Sequence, residues 1–269
     1  TISKIILYLT LPSAIITNLN GLRFPPILLL LTIFGFLSNW LYILISKLTG
    51  KNPTEQSFLA LNINGFNIGN FAFPFIAYFL DGLPILAVSL YDAGNAIMGL
   101  VGNYAVANSI KEEESQFDGH NLLKVISQSP TVIVYALMVI LSLLSMDLPK
   151  MVVDVAAIIG RANTFLPMLF IGIALELKFK VEDIQKLFKY SISRYAPAII
   201  LAVIIYFLPI IGLEIKHALI LILLSPVAGT APIFTELIDG DVELSAQLNS
   251  LSIILSVILM SSYLILMGV

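Results

Sequence analysis

The chain contains no cysteine, and only 12% of its residues are charged. Without cysteine, disulfide frameworks, thiolate-bound zinc or iron–sulfur clusters and thiol catalysis are excluded. Soluble domains carry roughly 25% charged residues, so the low charge, together with 58% hydrophobic residues, excludes an ordinary soluble domain. The net charge of −3 is spread over short segments and forms no basic face. Nucleic-acid binding therefore has no electrostatic basis.

The sequence also lacks the short motifs of several catalytic and energy-coupled classes. It has no GxxxxGK[ST] segment, which excludes ATP-driven transport by this chain itself. It has neither an HExxH motif nor a close group of His, Asp and Glu, so a metalloenzyme is not indicated. We therefore expect no enzyme activity, no cofactor and no bound metal.

Long apolar segments dominate the sequence instead. Several of them reach the roughly 20 residues that an α-helix needs to cross a bilayer. Bounded by charges, glycines and prolines, the predicted spans number nine: 2–19, 26–48, 56–80, 84–109, 130–147, 151–175, 192–213, 216–238 and 243–268. We expect an all-α, multi-pass protein of the cell membrane.

The distribution of basic residues predicts which ends of the spans face the cytoplasm, because Lys and Arg are concentrated in cytoplasmic loops. If successive spans alternate in direction, one side carries Lys4, Lys47, Lys51, Lys111, Lys124, Lys178, Lys180, Lys186, Lys189 and Arg194. The other side carries Arg23, Lys150 and Lys216. The first side is predicted to be cytoplasmic, which places the loop 111–128 in the cytoplasm and the C-terminus outside.

Two segments of the chain share the same landmarks at a constant separation. Pro74 and Asp81-Gly82 in the first segment correspond to Pro232 and Asp239-Gly240 in the second, always 158 residues apart. A constant offset over several non-apolar positions indicates a duplicated unit; the alternative is chance similarity between two apolar segments. We predict a first repeat at 1–110, a linker at 111–128 and a second repeat at 129–269.

The two predicted repeats differ by one span, with four in the first and five in the second. We interpret the parent arrangement as five plus five, with the leading helix absent from the first repeat. An odd number of spans makes the second repeat begin on the opposite side of the membrane. The fold is then an inverted repeat with a pseudo-two-fold axis in the membrane plane.

Each repeat has a proline inside a predicted span, Pro74 in one and Pro232 in the other. Proline removes a helical hydrogen bond, and hydrocarbon cannot satisfy the freed backbone groups. We therefore predict two helix breaks that cross near mid-membrane. The run 62–70, before Pro74, contains four asparagines and two glycines, and unwound half-helix ends around a polar site would give such amides partners.

This reasoning selects a set of candidate substrate-binding residues. They are Asn67, Asn70, Pro74, Gly229, Thr230 and Pro232. The alternative is that the asparagines only join helices, and for Asn62 we expect that role.

Arg161 and Asp92 lie well inside predicted spans, where a charge is a functional hypothesis by default. Arg161 is a candidate substrate contact for an anion; alternatively it braces the fold by pairing with Asp92 or Asp154. Asp92 is a candidate for binding a coupling ion or supporting the site, together with Asn95 and Asn163.

At these residues the chain resembles the auxin efflux carrier family of membrane-transport permeases. Asn67 to Pro74 is similar to the family's N-x-G-x-x-G-x-P signature, with Ala72 where glycine is usual, and Tyr91 to Asn95 resembles its YDxGN element. Later landmarks are Ser129-Pro130, the stretch from Gly160 to Pro167 with Gly172, and Arg194-Tyr195-Ala196-Pro197. The second broken segment departs from the pattern, because Thr230 lies near the place of the family's asparagine.

The resemblance covers nearly the whole chain and implies ten spans, a scaffold domain and a transport domain whose crossed helices hold the substrate. We expect a secondary transporter that moves a small organic anion, a carboxylate, by elevator-like alternating access. Protons or sodium ions are the candidate coupling ions, uniport is the alternative, and a second copy of the chain (a homodimer) is a candidate partner within the bilayer. A membrane sensor or receptor on a transporter-like scaffold is the alternative function.

Overall fold

The computed structural model describes residues 2–21, 26–111, 130–174 and 179–268. Every regular element within these ranges is a helix, so the prediction of an all-α protein is confirmed. The predicted linker lies outside the described residues, apart from Lys111 at its start.

The first half forms four helical segments, several of them interrupted. Its elements are α1 (Ile2–Ile5), a π-turn (Ile6–Thr10), α2 (Leu11–Leu19), a 3-10 turn (Pro26–Leu29), α3 (Leu30–Thr49), α4 (Pro53–Asn62), a π-turn (Ile68–Ala72), α5 (Phe73–Phe79), α6 (Leu83–Ile97), a π-turn (Met98–Gly102) and α7 (Asn103–Lys111). Pro84 lies in the first turn of α6, where a missing N–H leaves no acceptor unpaired, whereas Pro12 and Pro74 each lie just after a π-turn.

The second half forms five helical segments. Its elements are α8 (Pro130–Leu143), α9 (Lys150–Gly160), α10 (Ala162–Ala174), a 3-10 turn (Val181–Asp183), α11 (Ile184–Phe207), α12 (Leu213–Leu223), α13 (Ala231–Leu237) and α14 (Val242–Met267). Asp241 caps α14, because its carboxylate accepts a hydrogen bond from the backbone N–H of Leu244.

Three helical segments are long and apolar enough to cross a membrane by themselves: Pro26–Thr49, Val181–Phe207 and Val242–Met267. Each of the nine predicted spans coincides with helical structure. Among the described residues, the other six do not meet this criterion as single helices. Several of these six are divided by breaks or turns, which shortens each continuous piece.

The limits predicted for the seventh span, 192–213, are wrong. The helix α11 begins at Ile184, continues a 3-10 turn from Val181, and ends at Phe207. In the sequence the charge of Lys189 favours a later start. The helix accommodates this lysine because it is paired with Glu55.

The helix α3 shows the arrangement expected of a protein in a lipid bilayer, with apolar side chains outside and polar ones inside. Its exposed apolar residues are Leu30, Ile33, Leu37, Trp40, Leu44 and Leu48, which follow one helical face. Its buried face carries Ser38, Asn39, Tyr42 and Ser46. A hydrocarbon surrounding suits the first face, and the polar second face needs partners inside the protein.

The two halves of the molecule pack on each other in a reciprocal way. The helix α2 packs on α9, and the π-turn Ile6–Thr10 packs on α10. In the same manner α4 packs on α13, and the π-turn Ile68–Ala72 packs on α12. The first span corresponds to the sixth, and the third span corresponds to the eighth. If the two members of each pair are exchanged, each of these contacts becomes the other contact of its pair, as an inverted repeat requires.

The helices α3 and α6 approach so closely that their backbones touch. A Cβ atom on Gly94 would lie 1.9 Å from the carbonyl oxygen of Thr32, and one on Gly35 would lie 2.0 Å from that of Tyr91. The same interface carries a hydrogen bond between Ser38 Oγ and Tyr91 Oη, 2.7 Å apart. Small residues at helix crossings are the usual device for close packing within membranes.

This packing predicts that Gly94→Ala destabilises the protein. The added methyl group would force α3 and α6 apart, and overpacking of this kind costs typically about 1–3 kcal/mol. The matched control is Gly172→Ala, also within a helix, because a Cβ atom there meets nothing within 4 Å. We expect a lower melting temperature for the purified Gly94 variant only; equal melting temperatures for both variants would contradict the packing argument.

Candidate functional site

Two helices are broken, and their breaks are in contact. The first break covers 63–67, between α4 and the π-turn that begins at Ile68, and the second covers 224–230, between α12 and α13. The backbone N–H of Asn67 donates a 2.9 Å hydrogen bond to the carbonyl oxygen of Pro226. Gly65, with a φ of +69°, packs against Ala228, where a Cβ atom would lie 2.9 Å from the Ala228 side chain. The predicted pair of helix breaks is present, and the two breaks meet.

The two predicted prolines lie at different distances from the breaks. Pro232 is the second residue of α13 and directly follows the second break, as predicted. The first break lies at 63–67, within the asparagine-rich run that precedes Pro74, and not at Pro74 itself. Pro74 lies just after the π-turn Ile68–Ala72, inside the helical segment Ile68–Phe79.

Some of the backbone groups of each break are hydrogen-bonded by side chains of the span that follows it. At the first break, Asn95 Nδ2 donates to the carbonyl oxygen of Phe66 at 3.0 Å, and Asn95 Oδ1 accepts from the Phe66 N–H at 3.2 Å. At the second break, Ser252 Oγ accepts from the Val227 N–H at 3.2 Å, and Asn249 Nδ2 donates to the Ala228 carbonyl at 3.2 Å. Asn95 thus supports the first break.

Most asparagines near the first break are fully occupied in joining helices. Asn62 Nδ2 donates to the Phe58 carbonyl at 2.9 Å and to Thr235 Oγ1 at 2.8 Å. Asn64 Nδ2 donates to Asn103 Oδ1 at 2.9 Å, and Asn103 Nδ2 donates to Asn39 Oδ1 at 3.3 Å. These contacts give Asn62 the joining role expected from the sequence.

Asn67 and Asn70 differ from the other asparagines of the run. None of the hydrogen bonds described uses the Asn67 side chain, although that residue is only 9% exposed. The buried Oδ1 of Asn70 has no hydrogen-bond partner among the described residues. Gly229 faces Asn67, because a Cβ atom there would lie 3.5 Å from Asn67 Nδ2. The structure thus brings Asn67 and Gly229 together and leaves amide groups available beside the first break.

The remaining predicted residues lie in three different surroundings. Thr230 Oγ1 donates a long hydrogen bond, 3.4 Å, to the carbonyl oxygen of Gly99. Asp92 is buried and accepts from Asn95 Nδ2 at 3.2 Å and from Tyr135 Oη at 3.1 Å. Asn163 accepts from Thr10 Oγ1 at 3.0 Å, which joins α10 to the π-turn before α2.

Arg161 is the turn residue between α9 and α10, and it is exposed. None of the ion pairs described for this part of the chain includes Arg161. Asp154 is also exposed, and the described partners of Asp92 are Asn95 and Tyr135. No described contact joins Arg161 to either carboxylate or to the breaks.

Sequence reasoning missed the role of Arg194 because it placed this residue on the cytoplasmic side. Arg194 lies within α11 and is 1% exposed. Its Nη1 donates to the carbonyl oxygen of Ile63 at 3.2 Å, and its Nη2 donates to that of Ser225 at 3.0 Å. One guanidinium therefore binds both breaks. The signal available in the sequence was an isolated arginine followed by an apolar run.

A cavity of about 740 Å³ opens at one end of the broken helices, and we call it the lysine vestibule. Four lysines line it: Lys51, Lys111, Lys186 and Lys189. All four belong to the side predicted to be cytoplasmic, so the structure gathers them at one end of the molecule. Lys189 donates a 2.8 Å hydrogen bond to Glu55, in the first turn of α4.

Glu55 has a strongly perturbed acidity. Burial works to raise the pKa of its carboxyl group, but hydrogen bonds from Lys189, the Lys51 N–H and Tyr190, with the charge of Lys189, outweigh burial. The pKa falls from 4.5 to about 2. Because the pKa is lower in the folded than in the unfolded state, the ionised carboxylate stabilises the protein at any pH above the unfolded-state pKa. This stabilisation is lost as the pH falls through the folded-state pKa.

Acid should therefore destabilise the wild type more than a Glu55→Gln variant. We expect the melting temperature of the wild type to fall more steeply between pH 4.5 and pH 2, the interval between the two pKa values. Glu214→Gln, a change at an exposed glutamate, is the control and should follow the wild type. Parallel curves for the wild type and Glu55→Gln would contradict the assigned role of this ion pair.

The comparison with known families concerns the second half of the chain. Residues 165–268 match the model of the Sodium Bile acid symporter family. This region includes Arg194, the second break and α14. A comparison with curated proteins finds no match to the chain.

This family consists of membrane transporters related to the auxin efflux carriers within one superfamily. The resemblance found in the sequence is confirmed at that level, and nothing in the match concerns auxin. The second half of the chain is therefore similar to a family of secondary transporters of the membrane.

Proposed function

We propose that this protein is a secondary transporter that carries a small organic anion, a carboxylate, by elevator-like alternating access. The observation that carries the proposal is the meeting of two helix breaks at Asn67 and Pro226, with unengaged amide groups of Asn67 and Asn70 beside it. Half-helix ends at such a meeting point are the usual binding site of transporters built from repeats.

The first break offers chemistry suited to a carboxylate. The helical segment Ile68–Phe79 begins there, and its first N–H groups and positive dipole end favour a negative charge. Asn67 precedes this segment, and its side chain makes no capping hydrogen bond. It is therefore free to donate to a substrate oxygen. The absence of a side chain at Gly229 leaves room beside the amide, and Thr230 and Pro232 follow Gly229 closely along the chain.

Coupling would act through Asp92, and a proton is the ion that its surroundings favour. Both described partners, Asn95 Nδ2 and Tyr135 Oη, are hydrogen-bond donors to the carboxylate. A sodium ion would instead need several oxygen ligands. Asn95 is also hydrogen-bonded to the Phe66 peptide. A change in the protonation of Asp92 would therefore reach the first break through a single residue, Asn95.

The lysine vestibule supports the membrane orientation expected from the sequence. Because Lys51, Lys111, Lys186 and Lys189 lie together, we propose that this end faces the cytoplasm. The loop 111–128 is then cytoplasmic and the C-terminus is outside. The vestibule would be the cytoplasmic approach to the breaks. Glu55, Asp239 and Asp241 also line it, so the four lysines leave it only a small excess of positive charge.

Counterflow in proteoliposomes tests the transport proposal. Purified protein is reconstituted with an unlabelled carboxylate inside, and uptake of the labelled carboxylate is followed across a panel of mono- and dicarboxylates. A transporter exchanges labelled for unlabelled substrate. Binding of a carboxylate without exchange would instead support a sensor, and exchange of cations or neutral solutes alone would contradict the anion assignment.

Asn67→Ala should weaken substrate binding without unfolding the protein. Loss of one side-chain hydrogen bond at a buried site costs roughly 1–3 kcal/mol, about a ten- to hundred-fold loss of affinity. Asn62→Ala is the matched control, because that amide joins α4 to Thr235, and it should lower the melting temperature instead. Unchanged substrate affinity in Asn67→Ala would remove Asn67 from the site.

Arg161 is proposed as an anion contact of the same site, and two substitutions test it. Arg161→Gln should weaken carboxylate binding more than Arg161→Lys, because lysine keeps the charge but loses the planar fork that grips a carboxylate. Affinity and melting temperature are measured on the same preparations. Normal affinity in both variants would show that this exposed arginine does not contact the substrate.

A further inference from the structure

The two broken helices direct their C-terminal ends at one another. The helix α4 ends at Asn62 and α12 ends at Leu223, each immediately before its break. The last carbonyl groups of a helix have no intrahelical donor, and the helix dipole adds a partial negative charge at this end. In transporters with discontinuous helices, such carbonyls and helix ends are the groups that coordinate sodium.

Arg194 occupies this position. It donates to Ile63, the residue that follows α4, and to Ser225, which lies two residues after α12. The guanidinium carbon also lies 4.3 Å from the centre of the Phe66 ring and 4.7 Å from that of Tyr42, so two aromatic faces contact the cation. Its Nε has no hydrogen-bond partner among the described residues.

No carboxylate in the described part of the chain is paired with Arg194. A buried charge needs compensation, and here the carbonyl oxygens, the two negative helix ends and the two rings supply it. The position of Arg194 is itself fixed from a third direction, because its backbone carbonyl accepts a 2.9 Å hydrogen bond from Tyr42 Oη.

We propose that the Arg194 guanidinium stands in the place of a coupling sodium ion between the C-terminal ends of α4 and α12, so that transport proceeds without sodium. The inference rests on the proposed transport function and makes the cation a permanent part of the protein. A sodium ion would bind and leave in each cycle, whereas the guanidinium is covalently attached to α11. The matched family is named for sodium, and this chain would differ from that name.

The first test is counterflow of a carboxylate with sodium, potassium or choline as the only added cation, at equal ionic strength on both sides. We expect the same exchange rate in all three salts. Exchange that requires sodium would overturn the assignment of Arg194 while leaving the transport function intact. An absence of exchange in every salt would instead count against the transport function itself, so the two failures are distinguishable.

The second test uses purified protein and needs no substrate. Arg194→Ser leaves the Ile63 and Ser225 carbonyls without a donor and opens space for a small cation. We expect sodium to raise the melting temperature of this variant, relative to potassium, by roughly 2–4 °C. The wild type, Arg194→Lys and the exposed surface control Lys150→Ser should show no such difference.

Two results of this second test would overturn the inference. One is an equal sodium effect on all four proteins, because the ion would then bind elsewhere. The other is a folded Arg194→Ser variant that does not respond to sodium. If that variant does not fold, the melting temperatures of the wild type and of Arg194→Lys are compared in sodium and in potassium. Both proteins keep a fixed cation at the crossing, so a sodium-dependent rise in either melting temperature would overturn the inference.

Discussion

The structure depends on the need to satisfy the peptide groups of two helix breaks that lie within a membrane-embedded fold. An unpaired N–H or carbonyl in hydrocarbon costs several kcal/mol, so each break persists only where side chains replace the missing helical partners. Asn95 does so for Phe66, Ser252 and Asn249 do so for Val227 and Ala228, and Arg194 binds a carbonyl of each break. The close contact of α3 with α6 at Gly35 and Gly94 holds the helix that carries Asn95 in position.

The same need separates the polar residues that maintain the fold from those that remain available for a ligand. Asn62, Asn64 and Asn103 have both ends of their amides engaged or lie in continuous hydrogen-bonded chains, so changing them should affect folding first. Asn67 and Asn70 lie in the same short run, yet polar atoms of their side chains are left without described partners. A binding site in a membrane protein can be recognised in this way, by the polar groups that remain after the backbone has been satisfied.

Much of this fold could be predicted from the sequence, because the length of an apolar segment and the charges, glycines and prolines that bound it are local properties. Eight of the nine predicted spans lie close to the observed helices, and the asparagine-rich run locates the first break better than Pro74 does. The seventh span and Arg194 could not be predicted in the same way. Whether an arginine lies at the membrane surface or inside depends on carbonyl groups of Ile63 and Ser225, more than 30 residues away along the chain, which no local pattern shows. The contact of the two breaks is equally non-local.

The charge of Arg194 compensates the negative helix ends at the two breaks, and it leaves the positive helix end beside them without a paired anion among the described residues. The C-terminal ends of α4 and α12 are both negative, and the guanidinium compensates both at once. The N-terminal end of the segment Ile68–Phe79 carries the positive end of a helix dipole, and none of the ion pairs among the described residues lies there. In the transport that we propose, a carboxylate would complete this balance of charge, and Arg194 would take the place of a sodium ion at the crossing. In this proposal, protonation of Asp92 would act on the same region through Asn95 and Phe66, because Asn95 is hydrogen-bonded to the Phe66 peptide and Arg194 contacts the Phe66 ring.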